Sequence, residues 1–412
     1  MRLLIDNAAL VAGIAPAGVP RLCGAQMERF GVMERGWVLV ESGRIAGVGE
    51  PGREPRADRV LDAGGGAVLP AFCDSHTHIV YAGSREGEFM DKIRGLSYEQ
   101  IAARGGGILN SVDLLRRTSE EELYRQAMER VGEMTAFGTG CAEIKSGYGL
   151  STRDEVKMLR VIARIAESSP MKVRATFLGA HAVAREYRGR QEEYVELVCR
   201  EMIPAVAAEG LADFVDVFCD RGFFTVEQTR RIVETGARYG MRAKIHANEL
   251  DFSGGVQLGV ACGALSVDHL ERSGEAEIAA LAGSQTVPTL LPGASFFLGM
   301  PYAPAREMID AGLGVALASD YNPGSSPSGN MRMVMSLGCI AMRMTAREAL
   351  AAATLNGACA MDLSDEYGSI TPGKVANLVI TKPVPSLDYI PYAYSSPLVR
   401  RVLLRGVEQP GL

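Results

Sequence analysis

The sequence has few histidines, no closely paired cysteines and no block of basic residues. Its 43 lysines and arginines are outnumbered by 49 aspartates and glutamates, so the formal net charge is −6. A mildly acidic chain of this kind is a poor candidate for binding nucleic acid or an anionic membrane surface. The eight cysteines are scattered singly, without a C-x-x-C pair, which indicates reduced thiols rather than a disulfide framework.

Long hydrophobic runs and several common catalytic motifs are also missing. No stretch of about 20 apolar residues occurs, so no transmembrane helix is expected. The N-terminal segment MRLLIDNAALVAG is interrupted by Asp6 and Asn7 and lacks the apolar core of a secretory signal. Together with the dispersed cysteines, this predicts a cytoplasmic protein. The chain also lacks a G-x-G-x-x-G after its first strand and a G-x-S-x-G elbow, which counts against dinucleotide binding and serine-hydrolase chemistry.

What is present is a chain of 412 residues with 47% hydrophobic residues, enough for one large domain and a smaller one. Both ends are rich in β-branched residues, and the turn Glu41-Ser42-Gly43-Arg44 predicts a hairpin near the start. We expect residues 1–65 and 364–412 to form a small composite β-sandwich domain, with residues 66–363 inserted as the large domain. The alternative is two separate hairpins packed on the main body.

The central block alternates short apolar runs with helical segments. Ser151 predicts the start of one helix, and Thr225 with Gln228 forms a capping-box pattern ahead of another. Alternation of this kind predicts parallel β-α units, and eight of them in about 300 residues match a (β/α)8 TIM-type barrel. A doubly wound open sheet is the alternative. The eight runs are residues 67–78, 138–148, 172–183, 213–221, 241–249, 264–271, 284–292 and 314–324.

The five histidines of the chain and one aspartate all lie at the downstream ends of these runs. Because the carboxyl ends of parallel barrel strands meet on one face, where barrel enzymes build their active sites, these side chains are expected to gather there. They are His76, His78, His181, His246, His269 and Asp320.

The pair His76 and His78 predicts a metal centre. Two residues apart on an extended strand, the two imidazoles point to the same side and can share one ion. His246 is the natural third nitrogen ligand and Asp320 the carboxylate ligand, a donor set that suits Zn²⁺ or Fe²⁺. For Asp320 the alternative role is a helix N-cap.

The neighbouring residues leave alternatives open. His269 could be a further ligand or a base, and His181 could bind substrate or a second ion. A second ion would usually need a lysine carbamate, for which Lys244 and Lys145 lie near strand ends. Lys145 is interpreted instead as structural or surface-facing, so one ion is expected.

Other polar residues follow the strands. Glu249, just past His246, could contact substrate or move a proton, and the alternative is a solvated loop carboxylate. Arg85 could pair with a substrate carboxylate, and Tyr148 could face the same pocket. The run Gly105-Gly106-Gly107 has no Lys-Ser/Thr after it, so it predicts a flexible lid rather than a phosphate loop.

This arrangement of histidines and aspartate resembles the amidohydrolase superfamily. The finer motifs EIKSGYGLS, FLGAHAV, LLPGASFFLG, YAPAREMIDAG and ALASDYNPGSSPS are similar to one branch of it, and the similarity covers nearly the whole chain. That branch hydrolyses the cyclic amide C–N bond of 4-imidazolone-5-propanoate to N-formimidoyl-L-glutamate in histidine degradation. Two departures from the pattern are Ser75, before the first histidine, and Asn377, where an aspartate is common.

The resemblance implies one Zn²⁺ or iron ion per subunit and assigns roles to matching positions. Metal ligands would be His76, His78, His246 and Asp320. Substrate would be bound by Arg85, Tyr148, His181, Glu249, Asn322, Gly324 and Ser325. Catalytic proton transfer would involve Glu249, His269 and Asp320.

Two other functions use the same pattern. An aminohydrolase acting on a guanine-like or cytosine-like ring would use the same ligands and release ammonia, but Arg85 would then have no carboxylate partner. A barrel that has lost catalysis and serves as a binding module is disfavoured by the complete ligand set. The expected partner is a small-molecule substrate, and a two-fold homodimer is expected because it is the most common assembly among soluble oligomeric proteins.

Overall fold

The computed structural model describes residues 1–96 and 107–410, in two β-sheets surrounded by helices. The first sheet is formed by both ends of the chain, as predicted. From the N-terminal part it takes β1 (Arg2–Ile14), β2 (Gly31–Glu41), β3 (Arg44–Gly49), β4 (Arg59–Asp62) and β5 (Gly66–Pro70), and from the C-terminal part β14 (Leu378–Pro383), β15 (Val399–Leu404) and β16 (Val407–Glu408).

The pairing of these strands explains why the two ends form one unit. The central strand β1 pairs with β2 in antiparallel and with β5 in parallel register, and β5 pairs in turn with β14. The predicted hairpin is confirmed, because Glu41 pairs with Arg44 across the turn. Ser42 and Gly43 both have positive φ, 51° and 79°, as a two-residue hairpin turn requires.

The second sheet is the predicted parallel barrel, with eight strands in chain order. These are β6 (Phe72–Thr77), β7 (Thr139–Lys145), β8 (Lys172–Ala180), β9 (Phe214–Cys219), β10 (Arg242–Ala247), β11 (Ser266–His269), β12 (Val287–Leu290) and β13 (Ala316–Leu317).

The barrel is closed by backbone hydrogen bonds just past β13. The Asp320 amide donates to the His76 carbonyl at 3.0 Å, and the His78 amide donates to the Tyr321 carbonyl at 2.9 Å. Closure therefore brings Asp320, from the last strand, directly beside the two histidines of the first.

Helices and irregular segments connect the strands. Ser151 and Thr225 are N-caps as predicted, and Thr225 forms its capping box with Gln228. The α-helices are Glu86–Ile93, Ile108–Arg117, Glu120–Ala136, Thr152–Ser168, Gln191–Leu197, Ile203–Ala208, Val226–Arg238, Gly255–Ala261, Glu275–Leu281, Pro292–Leu298, Ala305–Asp310, Met331–Met342, Ala346–Ala353, Leu355–Cys359 and Tyr389–Tyr392. Gly105 and Gly106 of the glycine run lie outside the described residues.

One predicted strand is corrected by the structure. Residues 67–78 were expected to form a single barrel strand, but they divide at Ala71 into β5 and β6. The reason is the competing partner, since Val68 and Leu69 pair with β14 of the small sheet while Phe72 and Cys73 pair with β7 of the barrel. The division into residues 1–65 with 364–412 and residues 66–363 stays a prediction about domain organisation.

Asn377 joins the small sheet to the barrel. Its side-chain amide donates to the carbonyl of Gly140 in β7 at 3.1 Å, and its oxygen accepts the Arg405 amide at 2.9 Å. An aspartate in the same conformation could only accept, and would face the Gly140 carbonyl with a second oxygen.

We therefore expect Asn377→Asp to reduce the free energy of unfolding. A lost buried hydrogen bond that leaves its partner unsatisfied costs about 1–3 kcal/mol. The urea midpoint of the purified variant measures this loss, and a midpoint equal to that of the wild type would show that the amide does not couple the two sheets.

Within residues 1–96 and 107–410, no helix is both long enough and apolar enough to cross a membrane.

Candidate active site

The six polar residues predicted at the strand ends lie together at the carboxyl end of the barrel. The ring centres of His76 and His246 are 4.5 Å apart, those of His76 and His269 are 5.4 Å apart, and those of His78 and His181 are 5.2 Å apart. His76 and His78 come from the end of the same strand, and each of the other four comes from the end of a different strand. All are buried.

Three of these residues place donor atoms around one point. The Nε2 atoms of His76 and His78 are 3.2 Å apart, and Asp320 Oδ1 lies 3.6 Å and 3.5 Å from them. A second group of donor atoms, from His76, His246 and His269, overlaps the first.

The donor chemistry fits a cation. Burial lowers the pKa of His76 and His78 well below the usual imidazole value, so both rings are neutral and keep a lone pair for a ligand. The Nε2 atom of His246 is buried and has no hydrogen-bond partner among the described residues. Neutral imidazoles and a carboxylate are the set that Zn²⁺ and Fe²⁺ accept.

The backbone is strained at two of these positions. Asp320 has φ 54° and His269 has φ 86°, both in the left-handed region that residues with a side chain rarely adopt. Such conformations cost about 1–3 kcal/mol each and persist at functional sites where the surroundings hold them. For Asp320, the hydrogen bond to the His76 carbonyl supplies that constraint.

Glu249 and His269 form a coupled pair at the edge of this group. His269 Nε2 lies 3.5 Å from Glu249 Oε2, and its Nδ1 lies 3.6 Å from Glu271 Oε1. Burial raises the pKa of Glu249 to about 7. Burial opposes the charged form of His269, but the two glutamates outweigh it and raise its pKa to about 10. Near neutral pH His269 is therefore protonated, and Glu249 can take up or release a proton. Glu249 is buried rather than a solvated loop carboxylate.

His181 and Tyr148 form another wall of the site. His181 stacks on His78 with an angle of 16° between the rings, and its Nδ1 lies 3.1 Å from the Gly147 carbonyl. The Tyr148 ring is 5.4 Å from that of His181, and burial raises the pKa of its phenol. The phenol is therefore a neutral hydrogen-bonding group.

Arg85 reaches the same cavity, at the start of the helix Glu86–Ile93. Its Nε and Nη2 both donate to Glu88 Oε2, at 3.0 Å and 2.5 Å. Its Nη1 lies so close to Gly324 that a β-carbon there would be 2.0 Å away, so any other residue at this position would force the arginine to move. The cavity has a volume of about 460 Å³.

The loop after Asp320 both lines the cavity and holds the aspartate. Asn322 accepts the amides of Gly324 and Ser325, each at 2.8 Å, and donates to the Asp320 carbonyl at 2.7 Å. The Ser325 hydroxyl donates to Asp320 Oδ2 at 3.0 Å. These contacts give Asn322 and Ser325 a structural task besides lining the cavity.

The two lysines considered for a carbamate are instead buried in ion pairs. The surface-facing alternative for Lys145 is wrong, because its side chain is fully buried 2.5 Å from Glu143 and 2.9 Å from Asp216. Burial alone would lower the pKa of Lys145, but the carboxylates of Asp216, Glu143 and Asp268 raise it. Lys244 also contacts Glu143. A carbamate needs a neutral amine, so this environment opposes one.

Several residues of the site were missed from the sequence. Asp268 Oδ2 lies 2.7 Å from His76 Nδ1, Asp216 Oδ2 lies 2.8 Å from His246 Nδ1, and Glu88 holds Arg85. One signal in the sequence could have pointed to buried charges of this kind: a charged residue inside an apolar strand with another polar residue two positions away. Glu143 and Lys145 in β7 show this pattern. Phe218 and Phe223, which stack with ring centres 4.0 Å apart and line the cavity, carried no such signal.

A closed parallel barrel with this donor set at its carboxyl end defines a class of hydrolytic metalloenzymes. The sequence profile of the amidohydrolase family matches residues 67–406, so the chain belongs to the amidohydrolase family. An adenosine deaminase from Xanthomonas campestris with bound zinc shares the fold, with a TM-score of 0.72 at 18% sequence identity, over 99% of this chain and 93% of that one.

Relatives of higher sequence identity show to which branch of the amidohydrolase family the chain belongs. Imidazolonepropionase from Christiangramia forsetii is 49% identical over 408 residues, covering 98% of this chain and 99% of the relative. Imidazolonepropionase from Flavobacterium johnsoniae is 50% identical over 408 residues, with the same coverage. Within the amidohydrolases, the chain therefore belongs to the imidazolonepropionases.

Proposed function

We propose that this enzyme hydrolyses 4-imidazolone-5-propanoate to N-formimidoyl-L-glutamate, a step of histidine degradation. The observation that carries the proposal is the combination in one cavity of a metal-ligand set, a proton-exchanging pair and an arginine. The first two suit the opening of a cyclic amide, and the arginine suits a substrate that carries a carboxylate. The relatives at about half identity carry the same name over their full length.

We propose that His76, His78, His246 and Asp320 hold one Zn²⁺ or iron ion. When bound, such an ion polarises a carbonyl group and lowers the pKa of water toward neutrality. His269 is not a member of this ligand set. Its ring faces Glu249, where the protonated imidazole can donate a hydrogen bond.

The protein residues would then complete the hydrolysis. Asp320 and His269 orient water toward the ring carbonyl carbon, and Asp320 accepts its proton. His269, already protonated at neutral pH because its pKa is raised to about 10, stabilises the oxygen as it becomes negative. Glu249 contacts the ring N–H groups and, in its protonated form, gives its proton to the nitrogen when the C–N bond breaks. The proton taken from water replaces the one that Glu249 has given up. The carbonyl carbon becomes the carbon of the new carboxylate, and the released nitrogen becomes the imino nitrogen of the formimidoyl group.

The substrate would be held at both ends. Arg85 binds the propanoate tail, with Tyr148 and His181 beside it. Asn322, Gly324 and Ser325 line the wall of the cavity between Arg85 and Asp320, since Gly324 lies against the Arg85 guanidinium and the Ser325 hydroxyl donates to Asp320. Fixing both ends places the carbonyl in a single position relative to His269 and Asp320, which is how binding contributes to rate.

We expect Arg85→Met to raise KM for the carboxylate substrate while the metal content stays unchanged. A charge-assisted pair contributes about 1.5–3 kcal/mol, which corresponds to a roughly 10- to 150-fold rise in KM. Steady-state kinetics measure it, with Arg85→Lys as a partial rescue because lysine lacks the planar fork.

Two controls separate tail binding from support of the loop. For an analogue without the carboxylate, Arg85→Met should have little effect, and equal damage to both substrates would refute the role of Arg85. The double variant Arg85→Met/Glu88→Gln removes the carboxylate that Arg85 no longer neutralises, so its KM should be lower than that of Arg85→Met alone.

The proposed function is tested by incubating protein of known metal content with 4-imidazolone-5-propanoate and measuring the formation of N-formimidoyl-L-glutamate. Ring opening without ammonia release is the expected result. Release of ammonia from guanine or cytosine, without turnover of the imidazolone, would replace the proposal by an aminohydrolase.

We also propose that the enzyme is a cytoplasmic homodimer. The cytoplasm keeps its single thiols reduced, and two-fold dimers are the most frequent assembly among soluble oligomeric proteins in general. Sedimentation velocity at micromolar concentration tests the dimer.

A further inference from the structure

We infer that five charged side chains buried in the barrel beneath the candidate metal centre act together as positioning residues for two of its histidine ligands. They are Glu143, Lys145, Asp216, Lys244 and Asp268, here called the buried charge cluster. The inference rests on the proposed function insofar as His76 and His246 bind an ion.

The cluster is fully enclosed by the barrel. Its five side chains have no solvent exposure and come from four strands of the barrel, β7, β9, β10 and β11. Side chains two residues apart on a strand point the same way, so Lys244 lies directly below His246, as Glu143 lies below Lys145. Burying this many charges is costly, and it persists only where each charge is paired.

Two carboxylates of the cluster reach the rings of the candidate ligands. Asp268 Oδ2 lies 2.7 Å from His76 Nδ1, and Asp216 Oδ2 lies 2.8 Å from His246 Nδ1. The contact of His246 is the less well aligned of the two, since its Nδ1 does not meet hydrogen-bond geometry. At these distances a ring lone pair would be repelled by the carboxylate, so the proton belongs on Nδ1.

A proton on Nδ1 leaves the Nε2 lone pair free on the opposite side of each ring. In His76 that atom faces His78 and Asp320, and in His246 it has no hydrogen-bond partner among the described residues. A carboxylate that fixes the tautomer and orientation of a histidine in this way raises the affinity of the ring for metal. Nδ1 of His78 is buried without such a partner in the described part of the chain, so the cluster acts on two histidines, not three.

The lysines form ion pairs with the carboxylates and hold them in place. Lys145 lies 2.9 Å from Asp216, and both lysines lie 3.7 Å from Asp268. Glu143 contacts both ammonium groups and so joins them. Three carboxylates against two ammonium groups leave one net negative charge directly below the site, which favours a cation above it.

The test is the affinity of the full-length protein for Zn²⁺, measured by competition with a chromophoric chelator. We expect Asp268→Asn and Asp216→Asn to weaken Zn²⁺ binding by about 10- to 100-fold, because outer-shell partners of ligating histidines contribute that much. Asparagine keeps the shape of the side chain and removes its charge.

Asp74→Asn is the matched control. Asp74 is also fully buried in the barrel, where it accepts the Ser319 amide at 2.9 Å and the Ser319 hydroxyl at 2.5 Å. It also contacts the backbone amide of His76 but no histidine ring, so it separates loss of a ring contact from loss of a buried charge beside the same strand. Its affinity should stay close to that of the wild type. Folded Asp268→Asn and Asp216→Asn proteins that bind Zn²⁺ as tightly as the wild type would overturn the inference.

A second measurement needs no variant. The protein has only five histidines, so selective ¹⁵N labelling of the metal-free wild type resolves their tautomers by NMR. We expect His76 and His246 to be protonated on Nδ1, and protonation on Nε2 would overturn the inference even if the variants do not fold. Failure of the wild type to bind Zn²⁺ or iron at all would instead contradict the proposed function.

Discussion

His76→Ala and His246→Ala proteins are each expected to lose the metal ion and nearly all turnover. Each substitution removes one of three nitrogen donors from the candidate centre and leaves a hole inside a closed barrel. Apparent binding energies of about 10–16 kcal/mol for four-ligand zinc sites imply about 3 kcal/mol per ligand, more than a hundredfold in affinity. Elemental analysis after dialysis, paired with the turnover assay, measures both losses.

His181→Ala is the control for these two variants. His181 is a buried histidine of the same cavity, stacked on His78, but its nitrogens belong to neither group of clustered donor atoms. We expect it to keep the metal and to lose substrate affinity. Full metal occupancy with normal turnover in His76→Ala or His246→Ala would show that the ligand set is wrong.

Glu249→Gln is expected to retain the metal and lose most of its kcat. The substitution preserves size and most hydrogen bonding but removes the titrating group, whose pKa burial raises to about 7. General acid–base groups contribute roughly 10²–10⁴-fold to rate, so a loss of that size is expected at saturating substrate. Loss of metal from this variant would move Glu249 into the ligand shell and refute its role.

A second glutamate separates direct action from action through His269. Glu271 contacts the other nitrogen of His269, 3.6 Å away, but does not line the cavity. If Glu249 acts on the substrate, Glu271→Gln should lower kcat much less than Glu249→Gln. Equal losses would mean that both glutamates serve only to set the charge of His269.

Much of the fold could be predicted from the chain itself because the relevant signals are local. The β-branched runs, the helix cap at Thr225 and the turn at Ser42-Gly43 each depend on a few neighbouring residues, and all three are present in the structure. The alternation of eight apolar runs with helical segments predicted the barrel, and the similarity to amidohydrolase motifs assigned roles to the residues of its site. The first barrel strand was placed too early, since only competition between β14 and β7 for pairing decides where β5 ends and β6 begins.

The positions of five histidines and Asp320 at the ends of apolar runs were enough to predict that they would meet on one face, because parallel strands align their carboxyl ends whatever their exact packing. The residues that lie behind and beside them became apparent only from the folded chain. A lysine near a strand end can face solvent or the barrel interior, and closure of the barrel turned Lys145 inward, against carboxylates from other strands. The contacts of Asp216 and Asp268 with histidine rings, and of Glu88 with Arg85, are likewise distances between side chains. Such distances depend on the register of neighbouring strands and the path of a loop, which no local pattern specifies.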